Sequence, residues 1–559
     1  MKGFFQLLNL IGGIGVFLVG MRIMSDGIQN RAGSRLKSVL HTMTENRFAG
    51  VLTGVGVTSV IQSSSATTVL LVSLVNAGLI SVKQSLGVIM GANIGTTLTA
   101  WIVSVLGFKF HIADVALPAI AIAIPFYFST RSKRREIADI LIGFGLLFLG
   151  LSFMKDAVPD IKNNPEVLAF LSNWSNLGFA STMIFVLIGT LLTVVVQSSS
   201  AAMTITITMA FKGWIDFPVA AAVILGENIG TTITAFLASI PMNATAKRTA
   251  RAHMLFNLIG VAWMLVVFNP FIRMIDAIVP GSATDPVNIP FHLSMFHTLF
   301  NVFNTLLLVG FIGPMSRLVE KMVKEDSSVS LKAPYRLKIV PENLADSVAS
   351  NLITVRHDLA SMAGEASTML SMVLKNATDQ KELEKSKDEM VLREQRVDDM
   401  QEQIIGYLTT CTQHALGHDE SKTVAAQQRI ANELESVADS SFSISLLLNR
   451  LHDKGWKFHD DGDSELRSYT DQVLAFLKYN QDYLDNRIEH YDLRTAREME
   501  RGIDTMRDTL RKRSRRTIER DEEVNVKGEL IFLDIVKHLE HIGDNSLNVS
   551  EAIVEMPGL

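Results

Sequence analysis

Gln62-Ser63-Ser64-Ser65-Ala66 recurs as Gln197-Ser198-Ser199-Ser200-Ala201, and Gly91-Ala92-Asn93-Ile94-Gly95-Thr96-Thr97 recurs as Gly226-Glu227-Asn228-Ile229-Gly230-Thr231-Thr232. Both pairs are offset by 135 residues, which marks one duplicated unit. These polar words stand in apolar surroundings: residues 48–82 carry no charge before Lys83, and 167–211 carry none before Lys212. Each neutral run is too long for one spanning helix of about 20 residues, and the first is too short for two spans and a turn. Each has its Gln-Ser-Ser-Ser near the middle. A re-entrant hairpin with its tip at mid-membrane depth fits all of this, because irregular backbone is tolerated there only when buried in protein or lining a cavity.

Working outward, length and apolarity predict spanning helices near 4–21, 84–106, 112–129, 136–154, 216–240, 252–270 and 291–313. Gly15 through Asp26 parallels Gly145 through Asp156, which fixes where each repeat begins (about 10–106 and 143–240). Three crossings separate the two starts, and a hairpin adds none, so the repeats should be antiparallel. Inverted repeats with a polar break in each half are the plan of alternating-access carriers. The expected fold is therefore all-α: a polytopic helical membrane domain with inverted repeats and two re-entrant hairpins, followed by a soluble helical bundle.

Charge supports this division. Residues 1–314 hold 19 Lys/Arg and 12 Asp/Glu, whereas the remaining 245 hold 33 and 45. The loops placed inside (21–47, 80–83, 130–135, 241–251) carry 13 of the 19 basic residues, which predicts a cytoplasmic carboxyl half. A single cysteine, Cys411, excludes an intrachain disulfide and suits a reducing compartment. The first apolar stretch lacks a small-residue cleavage site and is expected to be a membrane helix, not a signal peptide.

Beyond a predicted linker at 315–340, residues 341–559 show helical periodicity and a second repeat, offset by 105. Leu434-Glu435-Ser436-Val437-Ala438-Asp439 parallels Leu539-Glu540-His541-Ile542-Gly543-Asp544. Ile430, Leu434, Val437, Ile444 and Leu448 match Ile535, Leu539, Ile542, Val549 and Ile553 as apolar seams on one helix face. Two bundles of three helices each are the simplest packing. The pairs Glu435/Asp439 and Glu540/Asp544 sit one helical turn apart, a spacing that presents both carboxylates to one cation, with His538 or His541 nearby.

The polar words have a chemical reading. A broken helix leaves N–H groups free at the restarting end and carbonyls free at the terminating end. Helices restarting at Ser65 and Ser200 would aim positive dipole ends at an anion. The terminating ends, with Gln and Ser oxygens, suit a hard cation such as sodium. Asn93, Thr96, Thr97, Asn228, Thr231 and Thr232 would complete the cage. Glycines stepping by four (Gly87, Gly91, Gly95) also form a close-packing stripe. Glu227, opposite Ala92, is a candidate ion ligand or proton carrier, with a salt-bridged structural role as the alternative. No Lys or Arg lies in either neutral run, so an anion there needs co-bound cations. The loose glycine patterns lack a strand–turn–helix setting for nucleotides, the serines lack a His–Asp partner set for hydrolysis, and no nucleic-acid partner is expected.

The paired Gln-Ser-Ser-Ser and Gly-x-Asn-Ile-Gly-Thr-Thr segments resemble the sodium–phosphate cotransporter family, in particular its type II branch, over residues 10–313. That resemblance implies sodium-coupled transport of inorganic phosphate through a lipid bilayer. Its phosphate and sodium sites would involve Gln62, Ser63, Ser64, Ser65, Gln197, Ser198, Ser199, Ser200 and the Asn/Thr groups after them. Glu227 departs from the vertebrate pattern, which has a small residue there. Residues 341–559 resemble a PhoU-type regulatory domain through Leu-Glu-x-Ile-Gly-Asp, cleanly at Leu539–Asp544. The second resemblance implies a divalent or iron-type metal at Glu435, Asp439, Glu540 and Asp544. Together they imply a bacterial inner-membrane protein, as a homodimer or with a phosphate-regulatory partner. Export, another small oxyanion such as sulfate or arsenate, and a non-transporting phosphate sensor stay open as alternatives.

Overall fold

Each Gln-Ser-Ser-Ser ends one helix and starts the next. Helix α2 (Arg47–Ile61) stops at Gln62, whose backbone turns left-handed at φ 60°, and α3 (Ser64–Asn76) follows at once. In the second repeat α7 (Phe179–Val196) stops at Gln197, φ 55°, before α8 (Ser199–Phe211). A left-handed non-glycine residue costs about 1–2 kcal/mol, and both repeats bear that strain at the same glutamine. Ser63 and Ser198 then adopt extended backbone, and their Oγ atoms accept the N–H of Ala66 (3.1 Å) and of Ala201 (3.3 Å). They are N-caps. The helices consequently restart at Ser64 and Ser199, one residue earlier than the expected Ser65 and Ser200.

These elements belong to a computed structural model that describes residues 2–32, 46–109, 113–129, 132–158, 178–324, 334–341, 347–376, 380–413, 416–488, 490–520 and 524–557. The loop residues Arg35, Lys37 and Arg131, the start of the second neutral run (167–177) and much of the expected linker (325–333) lie outside them. The described residues form helices without strands. The chain divides into two compact units, one of 1–325 with 340–350, the other of 351–558 with 326–339.

In the first unit, α1 (Lys2–Ala32) and α4 (Val82–Ile102, continuing as a π-type turn to Lys109) precede α5 (Ala113–Tyr127) and α6 (Ser132–Ala157). After the second break come α9 (Phe217–Gly230), α10 (Thr232–Ser239), α11 (Ala244–Val266), α12 (Phe268–Ile278), α13 (Ile289–Leu308) and α14 (Ile312–Met322). Seven helical stretches among the described residues are long and apolar enough to cross a bilayer: Leu8–Gln29, Val82–Phe108, Arg134–Ala157, Phe179–Val196, Phe217–Ser239, Ala244–Val266 and Ile289–Met322. Two of these departures from the expected spans matter. The stretch at 112–129 forms a 15-residue helix with Pro118 and Pro125 inside it. In the second repeat the helix before the break, α7, has 18 residues and reaches spanning length, while its counterpart α2 has 15 and the helices after the breaks, α3 and α8, have 13 each.

The repeats interlock at glycines. A Cβ on Gly91 would stand 1.9 Å from the Val51 carbonyl oxygen, and one on Gly226 would stand 1.9 Å from that of Val186. So α2 lies backbone-to-backbone on α4, and α7 on α9. Ala222 takes the place of Gly87 in the second stripe and is itself fully buried. Helix α1 packs on α6 in the same way, where a Cβ on Gly20, Gly143 or Gly150 would stand 2.3 Å from a backbone atom of the facing helix.

The second unit holds α15 (Ser347–Asn376) from Asn351 onward, α16 (Gln380–Cys411), α17 (His418–Asp453), α18 (Gly462–Leu484), α19 (Leu493–Arg520) and α20 (Val526–Glu555). These are two runs of three, with α17 and α20 as the matched third members. All ten seam residues predicted on those two helices are buried, none more than 2% exposed. The 3.6-residue period determined them correctly because each helix packs one continuous stripe.

Candidate functional site

Both helix breaks converge on one cavity. It is lined by Ser64, Asn93 and Thr96 from the first repeat, by Ser199, Glu227, Asn228 and Thr231 from the second, and by His297 of α13. Seven of the fifteen polar residues singled out in the two repeats therefore reach one space. The free volume is about 10 Å3, room for about one water molecule.

The others serve the breaks. Ser63 and Ser198 are caps. Gln62 is buried, donates its amide N–H to the Ser59 carbonyl and accepts from Thr99 Oγ1 at 2.9 Å. Ser200 Oγ donates to the same Thr99 Oγ1 at 3.5 Å, so one threonine of α4 joins both breaks. Gln197 is exposed where Gln62 is buried, which makes the two breaks unequal. The Ser65 carbonyl accepts from Thr68 (3.1 Å). Thr97 and Thr232 donate to carbonyls one turn back, at 2.8 and 2.7 Å.

Hydrogen placement determines what the cavity offers. Asn93 Nδ2 donates to the Ile89 carbonyl and Asn228 Nδ2 to that of Ile224, both at 2.8 Å. Thr96 Oγ1 donates to Ala92 O (3.1 Å) and Thr231 Oγ1 to Glu227 O (3.0 Å). With the Thr hydrogens and one N–H of each Asn spent on their own helices, these side chains present oxygen lone pairs, each Asn keeping one further N–H. Oxygen acceptors suit a hard cation. Ser64 and Ser199 differ. They are the first residues of their helices, with N–H groups free of intrahelical partners, and their hydroxyls have no hydrogen-bond partner among the described residues. Donors at two helix starts suit an anion.

Glu227 is 2% exposed, and Oε1 accepts from Thr206 Oγ1 at 2.6 Å. No Lys or Arg pairs with it among the described residues, so the salt-bridge alternative finds no support in the geometry. His297, Thr206, Thr99 and Asn301, whose Nδ2 reaches Asn228 Oδ1 at 3.4 Å, went unmarked in the sequence. The available signal was a helix of apolar character carrying His292, His297, Asn301 and Asn304 at steps of five, four and three.

The carboxylate pairs of the second unit fare unequally. Asp439 of α17 meets Glu394 and Asp398 of α16, with ligand oxygens within 4.8 Å of one another. Burial first, then mutual repulsion including Asp439, holds the carboxyls of Glu394, Asp398 and Glu435 above the ordinary range. In the second half, Glu540 is ion-paired with Arg507, which also binds Asp504 at 2.7 Å. A guanidinium thus stands beside Glu540, while Asp544 is pushed up by burial, Glu540 and Asp504.

Two helical repeats, each broken at a Gln-Ser-Ser-Ser and closing on a shared polar cavity among apolar helices, are an arrangement found in membrane carriers. A sequence profile of the Na+/Pi-cotransporter family matches residues 16–156 and 170–279, and one of the PhoU domain matches 470–553. The chain is similar to "Uncharacterized protein YqeW" of Bacillus subtilis (30% identity over 313 residues, 55% of this chain and 95% of that one). It is also similar along nearly its whole length to "Putative inorganic phosphate export protein YjbB" of Escherichia coli K12 (24% over 563 residues, 99% and 98%). A shorter stretch matches human "Sodium-dependent phosphate transport protein 2B" (34% over 107 residues, 19% and 16%). No solved structure matches. The chain belongs to the Na+/Pi-cotransporter family, is a membrane protein, and carries a PhoU domain.

Proposed function

We propose that this protein carries inorganic phosphate across the bacterial inner membrane by alternating access, coupled to sodium, with the second unit as a cytoplasmic regulator. The cavity lined by both repeats carries this reading: donors at two helix starts for the anion, and oxygens of Asn93, Asn228, Thr96 and Thr231 for the cation. The two breaks are the tips of re-entrant hairpins. Space for one water does not hold a tetrahedral anion, so substrate binding parts the tips, and Gln197 lies on the more exposed side. The name of the full-length relative favours export, and the human relative's name favours sodium dependence.

Purified protein in liposomes tests the assignment. Labelled phosphate should exchange across the bilayer, and its net flux should follow a sodium gradient. Saturable phosphate binding without counterflow would instead make the chain a sensor. A chain ending after residue 324 should retain the flux, because every proposed substrate group lies in the first unit.

We further assign a divalent or iron-type cation to Glu394, Asp398 and Asp439, with Glu435 beside them; three carboxylates from two helices, without an ion-pair partner among the described residues, form a hard-donor set. Glu540 is left out of it by Arg507. Asp439→Asn should lower the metal content of the full chain by about an order of magnitude, and Glu540→Gln should leave it near the starting value, both read by elemental analysis. Equal losses in the two variants would favour a site in each half.

A further inference from the structure

One lining residue breaks the symmetry of the cavity. Glu227 stands where the first repeat has Ala92, and both positions are buried. Thr206 occupies Oε1, while Oε2 has no hydrogen-bond partner among the described residues. The remaining lining groups are Ser64 and Ser199 hydroxyls, the Asn and Thr side chains that bond back to their own helices, and His297, whose Nδ1 is buried without a partner among the described residues.

A carboxylate beside an anion repels it strongly at low dielectric, and among the described residues no lysine or arginine lines the cavity to offset the charge. A hydrogen lying between the two makes the contact tolerable, because a charge-assisted O–H···O bond offsets part of the repulsion that an anion without one meets in full. Hydrogen phosphate, dihydrogen phosphate and their arsenate analogues carry such an O–H. Sulfate near neutral pH carries none. We propose that Glu227 accepts the hydrogen of a protonated tetrahedral oxyanion and so admits phosphate and arsenate while rejecting sulfate. A single carboxylate suffices, since hydrogen phosphate offers one O–H, and duplication of Glu227 at Ala92 would demand two. The remaining oxygens face the donors at Ser64 and Ser199. This selection rests on the reading of the cavity as the oxyanion site.

The test uses the full chain in liposomes at mildly alkaline pH, where hydrogen phosphate, sulfate and fluorophosphate are all dianions and only the first bears an O–H. Arsenate should compete with labelled phosphate, whereas about a hundredfold excess of sulfate or fluorophosphate should not, since a site built around a substrate hydroxyl rejects analogues that lack it. In Glu227→Gln the amide donates, and the preference for arsenate over sulfate should fall by about a hundredfold. Glu227→Ala should relax the preference in the same direction. Sulfate or fluorophosphate competing like arsenate with the unaltered protein would overturn the proposal, as would an unchanged preference in a folded Glu227 variant. Absence of saturable phosphate uptake in the unaltered protein would be a different failure, removing the carrier reading and the selection with it.

Discussion

Alanine at Ser64 or at Ser199 lowers phosphate flux in liposomes by about ten- to a hundredfold, and alanine at both lowers it further, while each protein still inserts and keeps its helix content. The size follows from chemistry. A hydroxyl that hydrogen-bonds a buried charged ligand is worth about 1.5–3 kcal/mol, and every 1.4 kcal/mol is a factor of ten in affinity. Structure need not suffer, because neither hydroxyl has a protein partner among the described residues, and the caps of both helices come from Ser63 and Ser198. Alanine at the caps should behave oppositely, with a loss of stability of about 1 kcal/mol per cap. Thermal unfolding in detergent beside liposome flux separates the two patterns. Unaltered flux in both Ser64→Ala and Ser199→Ala would make these serines packing residues.

A methyl group at Gly91 or Gly226 has a larger structural effect. Its Cβ would stand 1.9 Å from a carbonyl oxygen of the facing helix, and the obstacle is backbone, which does not swing aside as a side chain would. Relief requires α2 to move off α4, or α7 off α9. Overpacking of this kind costs about 1–3 kcal/mol or more, beyond the gain of about 1 kcal/mol from alanine's helix propensity. Gly91 lies two residues from Asn93, and Gly226 adjoins Glu227, so the displaced helix carries the cavity wall with it. Gly91→Ala and Gly226→Ala should therefore lower both the unfolding midpoint and the flux. Gly56, with open space around it, serves as the control and should tolerate alanine. A Gly226→Ala protein with an unchanged midpoint would show that the helices do not approach this closely.

The two units differ in how they respond to such changes. In the second, the seams of α17 and α20 are deeply buried leucines, isoleucines and valines, and truncation there opens a cavity costing about 2–5 kcal/mol for Leu→Ala. In the first, the tight contacts are glycine to backbone, so enlargement is the damaging change. Small residues at interfaces are how helices associate where lipid removes the hydrophobic driving force.

Much of this was legible in the residues themselves. Duplication placed two breaks in equal register, and the left-handed glutamines with serine caps behind them are the local consequence of a four-residue polar word. Periodicity gave the seams of α17 and α20, because burial of a helix stripe repeats along the chain. What consecutive residues do at a break was harder. Each step along a helix turns the side chain by about 100°, so Thr96 and Thr231 line the cavity while Thr97 and Thr232, one step further on, do not. Span lengths were also distorted, since apolarity does not show where a proline-bearing helix such as α5 stops.

By itself, then, the sequence determined the helical class, the two-fold internal plan and the polar words around which a site is built, because these depend on local period and repetition. Tertiary structure alone decided which of those groups share a space, and with what. Thr99 joining both breaks, Thr206 and His297 around Glu227, Glu394 and Asp398 beside Asp439, and Arg507 on Glu540 all come from helices distant in the chain. Such partners leave no periodic trace, because a contact between two helices is fixed by their packing and not by the spacing within either one.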